Sequence, residues 1–361
     1  MLFKKLDIYI IKKFLGTYVF SIIIIILIAV IFDLSEKIDD FMENDASFKE
    51  VAFEYYLNFI PYFAILFSPL FTFISVIFFT SKMAYNTEII AILSSGVSFR
   101  RMLWPYFFSA FIIAGFVYVM SNYFIPQANA ERFEFEEKYI HSRPPNFRDR
   151  NIHKQLEPGL FVYMESYSNT SNIGYKFSLE KFDEGKLVSK LMADYVRWDS
   201  TINKWNIRNY YIRDIDGVEE EISRGSSLDT TLNMYPGEFR QRENIVEAMS
   251  HNELKEYINK QKMQGATNVV LFQIEFYKRI SNPFSTFILT LIGLTVSSRK
   301  IRGGIGGHIG LGLALSFSYL LFMQFSSQFA IGGKLNPLLA VWIPNILYAF
   351  IAYFMYKMAP K

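Results

Sequence analysis

Residues Phe14–Phe32 read FLGTYVFSIIIIILIAVIF, without one charged side chain. A spanning helix needs about 20 apolar residues, because each residue rises about 1.5 Å and the hydrocarbon core is about 30 Å thick. Five further runs meet the same standard: Leu57–Ser81, Met102–Ala130, Ile280–Ser298, Gly303–Gly333 and Leu335–Tyr356. None holds Asp, Glu, Lys or Arg, and His308 is the one imidazole among them. Buried helices of soluble proteins rarely need even one such run. The pattern therefore predicts six membrane spans, three before and three after a long polar interruption.

Of the 361 residues, 51% are hydrophobic and 20% charged. Mean hydropathy is only slightly positive because the middle third is hydrophilic, which argues for a helical membrane unit and a separate soluble unit. The expected division is 1–130 for spans one to three with a short helix at about 82–98, 131–265 for an exported β domain, and 266–361 for spans four to six.

The net charge of +3 says little, but its distribution sets the topology. The N-terminus carries Lys4, Lys5, Lys12 and Lys13 against Asp7. The segment after run two carries Lys82, Arg100 and Arg101 against Glu88, and the turn after run four reads Arg299-Lys300-Ile301-Arg302. The first hairpin is acidic, with Asp33, Glu36, Asp39, Asp40, Glu43, Asp45, Glu50 and Glu54 against Lys37 and Lys49. Loops rich in Lys and Arg stay in the cytoplasm, so both termini are expected inside; the first hairpin, the middle domain and the Lys334 turn are expected outside. The first run has a basic flank like a signal peptide. It is followed by Asp33-Leu34-Ser35-Glu36 rather than a small-residue cleavage site, so an uncleaved helix is expected. With no cysteine, disulfides, haem attachment and thiolate chemistry are excluded.

Asp7–Phe14 reads as a short amphipathic lead-in whose lysines suit the headgroup level. Between runs two and three, Asn86 or Thr87 is placed to cap a helix, with Glu88 in its first turn, where the helix dipole favours an acid. Ile89, Ile92 and Leu93 fall on one face, and Gly96 can end the helix. Two readings stand open: an interfacial connector, or a docking helix for a cytoplasmic partner.

From Glu131 to about Gly265 the period changes. Glu131–Tyr139 continues run three as a charged helix until Arg143-Pro144-Pro145. Leu160–Glu165, Tyr175–Phe182, Leu187–Trp198 and Lys204–Arg213 then alternate apolar and polar residues. They are separated by turn signals at Asp183-Glu184-Gly185, Ser200–Asn203 and Asp216-Gly217. This predicts an antiparallel β domain of sandwich or jelly-roll type. Ser250-His251-Asn252-Glu253 is a capping box opening a helix with Leu254, Tyr257 and Ile258 on its apolar stripe.

Run five opens on glycines. Gly303/Gly307 and Gly306/Gly310 are spaced for close helix packing in lipid, and no Gly-Lys-Ser/Thr makes them a phosphate loop. His141, His153, His251 and His308 are scattered and show no metal-ligand spacing. No nucleophile constellation, cofactor motif or nucleic-acid signature stands out, and no intramembrane acid is present to carry ions. The chain is expected to be non-catalytic; energy for any transport must come from elsewhere.

Four places carry a resemblance. Leu6-Asp7-Ile8-Tyr9-Ile10 precedes run one, and Thr87-Glu88-Ile89-Ile90-Ala91 leads to Ser95-Gly96-Val97-Ser98. Pro105 and Pro126 lie towards the two ends of run three, and Trp342-Ile343-Pro344-Asn345 falls in run six. Over essentially its whole length the chain resembles the LptF/LptG (YjgP/YjgQ) family of ABC-transporter permeases for lipopolysaccharide export, and its length and opening lean towards the G-type subunit. The resemblance implies a bacterial inner-membrane heterodimer with a paralogous subunit, driven by a cytoplasmic ATPase dimer. The β domain would pass lipopolysaccharide to a periplasmic bridge protein. It also implies that Glu88, Ile89, Ile92 and Gly96 form an ATPase-coupling helix and that spans one and five line the subunit seam.

An acylated substrate needs an apolar, widenable path, for which Ile28 and Phe32 on span one and Leu321, Phe325 and Phe329 on span five are the candidates, Phe317 lying on the same face. Some family members place a phosphate-binding lysine near the outer end of span one. Here Asp33 stands in that neighbourhood and only Lys37 offers a cation, so Lys37, Lys278, Arg279 and Lys334 are the candidate phosphate contacts. Two other readings exist: a permease for another lipid or a lipoprotein, and a membrane-anchored scaffold or sensor. The first typically has four spans, and the second lacks any cytoplasmic segment longer than about 25 residues.

Overall fold

The computed structural model describes residues 4–140, 148–239, 243–266, 268–298 and 305–359. The chain is an α+β membrane protein. It divides into two compact units, one of residues 1–140, 246–254 and 270–361, the other of 141–245 and 255–269.

In the membrane unit, α1 (Lys5–Glu43) runs unbroken through the first apolar run. The amphipathic lead-in is its first two turns. The second run is not one straight span. A three-residue α2 (Phe48–Glu50) and a π-helical stretch, Val51–Tyr56, lead into α3 (Leu57–Leu66), which breaks at Phe67 before α4 (Ser68–Tyr85). The two halves meet at 61°. Proline explains the break: Pro69, in the first turn of α4, has no N–H to give the Ile65 carbonyl four residues back, and its ring crowds that carbonyl, so the helix of α3 cannot continue through it. α5 (Glu88–Ser94) is the short helix before α6 (Phe99–Val119), which passes through a π-helical turn, Met120–Phe124, into α7 (Ile125–Tyr139). That turn contains Asn122, the residue four before Pro126, whose carbonyl the proline ring displaces. The charged segment Glu131–Tyr139 is thus helical, as expected. After the β unit come α8 (His251–Met263), α9 (Val269–Ser297), α10 (Ile305–Ile331) and α11 (Pro337–Met358). Among the described residues five helices are long and apolar enough to cross a membrane, and six if the bent α3–α4 pair is one broken span.

Among the described residues, the glycines spaced four apart at the start of run five meet no close neighbour within this chain. A side chain at Gly306, Gly307 or Gly310 would meet nothing within 4 Å in this chain. Close approach occurs instead at Gly312, which faces Ile77, and at Gly293 of α9, which faces Val76 and Phe73. α4 is therefore the helix that small residues let its neighbours approach. Gly303, the side chain of His308 and the basic turn 299–302 lie outside the described residues.

The other unit holds β1 (Arg148–Glu157), β2 (Leu160–Ser168), β3 (Ile173–Asp183), β4 (Lys186–Asp199), β5 (Lys204–Asp216) and β6 (Glu219–Thr230). Every neighbouring pair is antiparallel, as expected of the insert. Among the described residues the strands lie in chain order, β1 to β6, in one sheet. The sheet is an up-and-down meander, whereas the expected jelly roll would interleave strands distant in sequence. The turn signals at Glu184-Gly185 and Gly217 hold, with left-handed backbone at all three residues.

One face of the sheet buries Val162, Met164, Phe177, Leu191, Val196, Trp205 and Ile207. Leu232, Met234 and Phe239 close this core, and the Trp205 indole donates to the Met234 carbonyl at 2.9 Å. The opposite face bears a concavity of about 640 Å³ lined by His153, Phe161, Tyr163, Met192 and Tyr211. The capping box of α8 is present: Ser250 N–H donates to Glu253 at 2.8 Å, and Glu253 N–H to the Ser250 hydroxyl at 3.4 Å.

Candidate functional site

The corner between α4 and α6 gathers the residues from which the coupling site was expected. Thr87 occupies the cap position of α5 but does not cap it through its side chain. Its φ is 62° and its hydroxyl donates to the Asn86 carbonyl at 2.6 Å. The left-handed residue makes the chain turn sharply out of α4, and Gly96, at φ 85°, makes the second sharp turn after α5. Between them Ile89 is 1% exposed and packs into a core containing Ile10, Phe14, Phe79, Met83, Phe99 and Tyr106, with Ile92 and Leu93 at its margin. The opposite face of α5 leaves Ile90 and Ala91 exposed.

Glu88 is engaged within the chain. The Tyr9 hydroxyl donates to it at 2.6 Å, Asn86 at 3.4 Å, and the Lys13 ammonium stands 3.6 Å away, itself over the Tyr9 ring. Burial acts to raise its pKa, but the Tyr9 and Asn86 hydrogen bonds and the charge of Lys13 outweigh it, and the carboxyl titrates below its ordinary value. Beyond α5, Ser98 caps α6, accepting from the Arg101 N–H at 3.3 Å. The Arg101 guanidinium grips Asp7 with two parallel bonds, 2.8 and 2.6 Å. Asp7 is 1% exposed and also accepts from the Lys4 N–H at 2.9 Å. Asp7, Tyr9, Lys13 and Arg101 had no site role in the sequence reading. Asp7 and Tyr9 were visible only as part of the opening motif, and Lys13 and Arg101 only as charges beside a span.

The match that decides identity covers residues 8–358, and its family is described as lipopolysaccharide export system permease LptF/LptG. The chain belongs to this LptF/LptG family. No curated protein matches it.

The remaining candidates of this LptF/LptG permease separate into two groups. Ile28, Phe32, Leu321, Phe325 and Phe329 are all exposed in the chain, Phe32 at 73%. The four cations differ from one another. Lys37 pairs with Asp33 at 2.8 Å, donates to the Tyr55 hydroxyl and lies over its ring. Arg279 is 4% exposed and donates to the Met249 carbonyl at 2.7 Å, to that of Val246 at 2.9 Å and to Glu275 at 3.1 Å. It straps the segment 246–249 onto α9, a structural duty that the pattern of charges did not reveal. Lys278 is half-buried and Lys334 exposed. Beside Arg279, Asn129 donates to the Glu247 carbonyl at 3.2 Å. The Glu247 carboxyl is held above its ordinary pKa, first by burial and then by Glu275.

Proposed function

We propose that this permease is the non-catalytic membrane subunit of an ABC-type exporter. It extracts lipopolysaccharide or lipooligosaccharide from the inner membrane and passes it by way of the β unit to a periplasmic bridge. The observation that carries this is the family match, which runs through the membrane helices and the β insert together. Both termini and α5 face the cytoplasm on the Lys and Arg asymmetry. α5, opening on Glu88, Ile89 and Ile92 and closed by Gly96, meets a cytoplasmic ATPase dimer. A paralogous subunit completes a cavity whose walls include the exposed faces of α1 and α10, from Ile28 to Phe32 and from Leu321 to Phe329. Of the four cations, Lys278 and Lys334 are the better phosphate contacts, since Lys37 and Arg279 already serve other groups.

The test is co-expression with the paralogue and candidate ATPase subunits, followed by reconstitution into vesicles containing lipopolysaccharide. ATPase subunits should co-purify, and glycolipid should leave the vesicles only with ATP. Purification free of any ATPase, with glycolipid transfer indifferent to nucleotide, would overturn the proposal. Single cysteines check the orientation, since the native chain has none: position 215 should label from outside and position 300 should not.

A further inference from the structure

α1 is fastened on both sides of the corner between α4 and α6, to the first residue of the loop helix α5 and to the first turn of α6. At the start of α5, Glu88 accepts from Tyr9 at 2.6 Å and faces Lys13 at 3.6 Å. Past its end, Arg101 holds Asp7 in a bidentate pair. Tyr9 and Lys13 are one turn apart and share a face of α1, whereas Asp7, Ile10 and Phe14 share the neighbouring buried face. The two fastenings therefore grip α1 from different sides. Ile89 fills the space between, in the same apolar cluster as Ile10 and Phe14.

These contacts are chosen for geometry more than for stability. The partly exposed Lys13–Glu88 pair contributes little energy in such surroundings. A bidentate guanidinium–carboxylate pair, by contrast, fixes both distance and orientation. Its partners are 94 positions apart in sequence. They join the first helix to the first turn of α6, and nothing in local folding requires that joint.

On the reading that α5 meets the ATPase, we infer that Asp7, Tyr9, Glu88 and Arg101 are positioning residues that yoke α1 to α5 and to the first turn of α6, so that displacement of this corner by the ATPase carries α1 with it as one body. The side of α5 most open to the ATPase is then that of Ile90 and Ala91, which are exposed. Apolar packing through Ile89 alone permits sliding; the two polar joints remove it.

The experiment uses the full complex in lipopolysaccharide-containing vesicles and reads three quantities: ATPase co-purification, hydrolysis rate, and glycolipid released per ATP. Arg101→Ala should keep the ATPase bound and hydrolysing while glycolipid per ATP falls several-fold. Asp7→Arg combined with Arg101→Asp should restore much of the loss. Tyr9→Phe removes a single hydroxyl and keeps the fold; it should lower the same ratio to a smaller extent. The double variant Tyr9→Cys with Glu88→Cys should itself release less glycolipid per ATP, and a short bis-maleimide joining the two cysteines should restore much of that loss, because the joined elements again move together. No gain on cross-linking, or an unchanged ratio in both Arg101→Ala and Tyr9→Phe, would overturn the yoke. Loss of ATPase binding in step with transport would also overturn it, making these residues part of the docking surface. A wild-type complex without nucleotide-dependent release would instead overturn the docking of α5, and the yoke with it.

Discussion

α1 and α9 both qualify as membrane spans, yet the more apolar of the two is the more exposed. Along its most apolar stretch α1 buries almost nothing, and Val19, Phe20, Ile23, Ile24, Leu27, Ile28 and Ile31 all face outwards. α9 is mostly buried and carries Ser281, Ser285, Thr286, Thr290, Thr295 and Ser297 in the interior. In water this would be inside out. In lipid the surface must be apolar, while the interior is free to use small hydroxylated residues that bond to the backbone and let helices approach. Thr295 bonds to the Leu291 carbonyl at 3.0 Å, and Ser297 to that of Gly293 at 2.5 Å, where Val76 presses closest. Exposure on α1 is therefore a surface offered to lipid, to a second subunit or to substrate, and not a core left unfilled.

The sharpest way to break this contrast is to fill a glycine on each helix. A Cβ at Gly293 would lie 2.9 Å from Val76 Cγ1, so Gly293→Leu should cost about 3 kcal/mol by overpacking. A Cβ at Gly16 of α1 meets nothing within 4 Å, so Gly16→Leu should cost no stability. Thermal unfolding of the two variants in detergent tests this, and equal losses would erase the distinction. A second comparison stays within α1. Phe14 is fully buried against Phe79 and Tyr106, with ring centroids at 5.5 and 6.2 Å, whereas Phe20 is 64% exposed. Phe14→Ala should lose about 2 kcal/mol, the cost of an unfilled cavity at about 24 cal/mol per Å³, and Phe20→Ala only a few tenths.

Glu247, packed beside Glu275 and Arg279 of α9, gives a pH-dependent test. Its folded pKa is raised by burial and by Glu275. The folded state then holds a proton that the unfolded state releases, so stability falls as pH rises from the unfolded value of 4.5 through the raised one. Glu247→Gln should flatten that slope and raise the unfolding temperature at neutral pH. An unchanged slope would remove Glu247 as its source. A small gain is expected at Gly16→Ala, where relief of helical glycine adds about 0.5–1 kcal/mol, read as a higher unfolding temperature in detergent.

What the sequence disclosed follows from how far apart the partners lie. Apolar runs, the α8 capping box and the four central strands depend on residues within one element, and they were legible. β1 and β6 were missed for a physical reason. Glu219-Glu220-Glu221-Ile222-Ser223-Arg224 is polar on both faces, and the strand is mostly exposed, so no alternation marks it even though the Asp216-Gly217 turn before it was legible. The break at Phe67 was hidden because Pro61 and Pro69 sit in an otherwise continuous apolar run. At the candidate site, Glu88 and Gly96 were visible as a cap-side acid and a helix stop. The pair of Asp7 with Arg101 and the strap made by Arg279 are tertiary, and each residue also serves as an ordinary charge at a helix end.

The sequential order of the six strands bears on how the protein is made. Each strand pairs with the one synthesised just before it, through connections of two to four residues. Closing such short loops costs little chain entropy, and local pairings form fast. Every residue of the sheet's core precedes α9 in the chain. A ribosome adding about 5–20 residues per second thus gives the β unit seconds in which to fold hairpin by hairpin before the last of the three helices is finished.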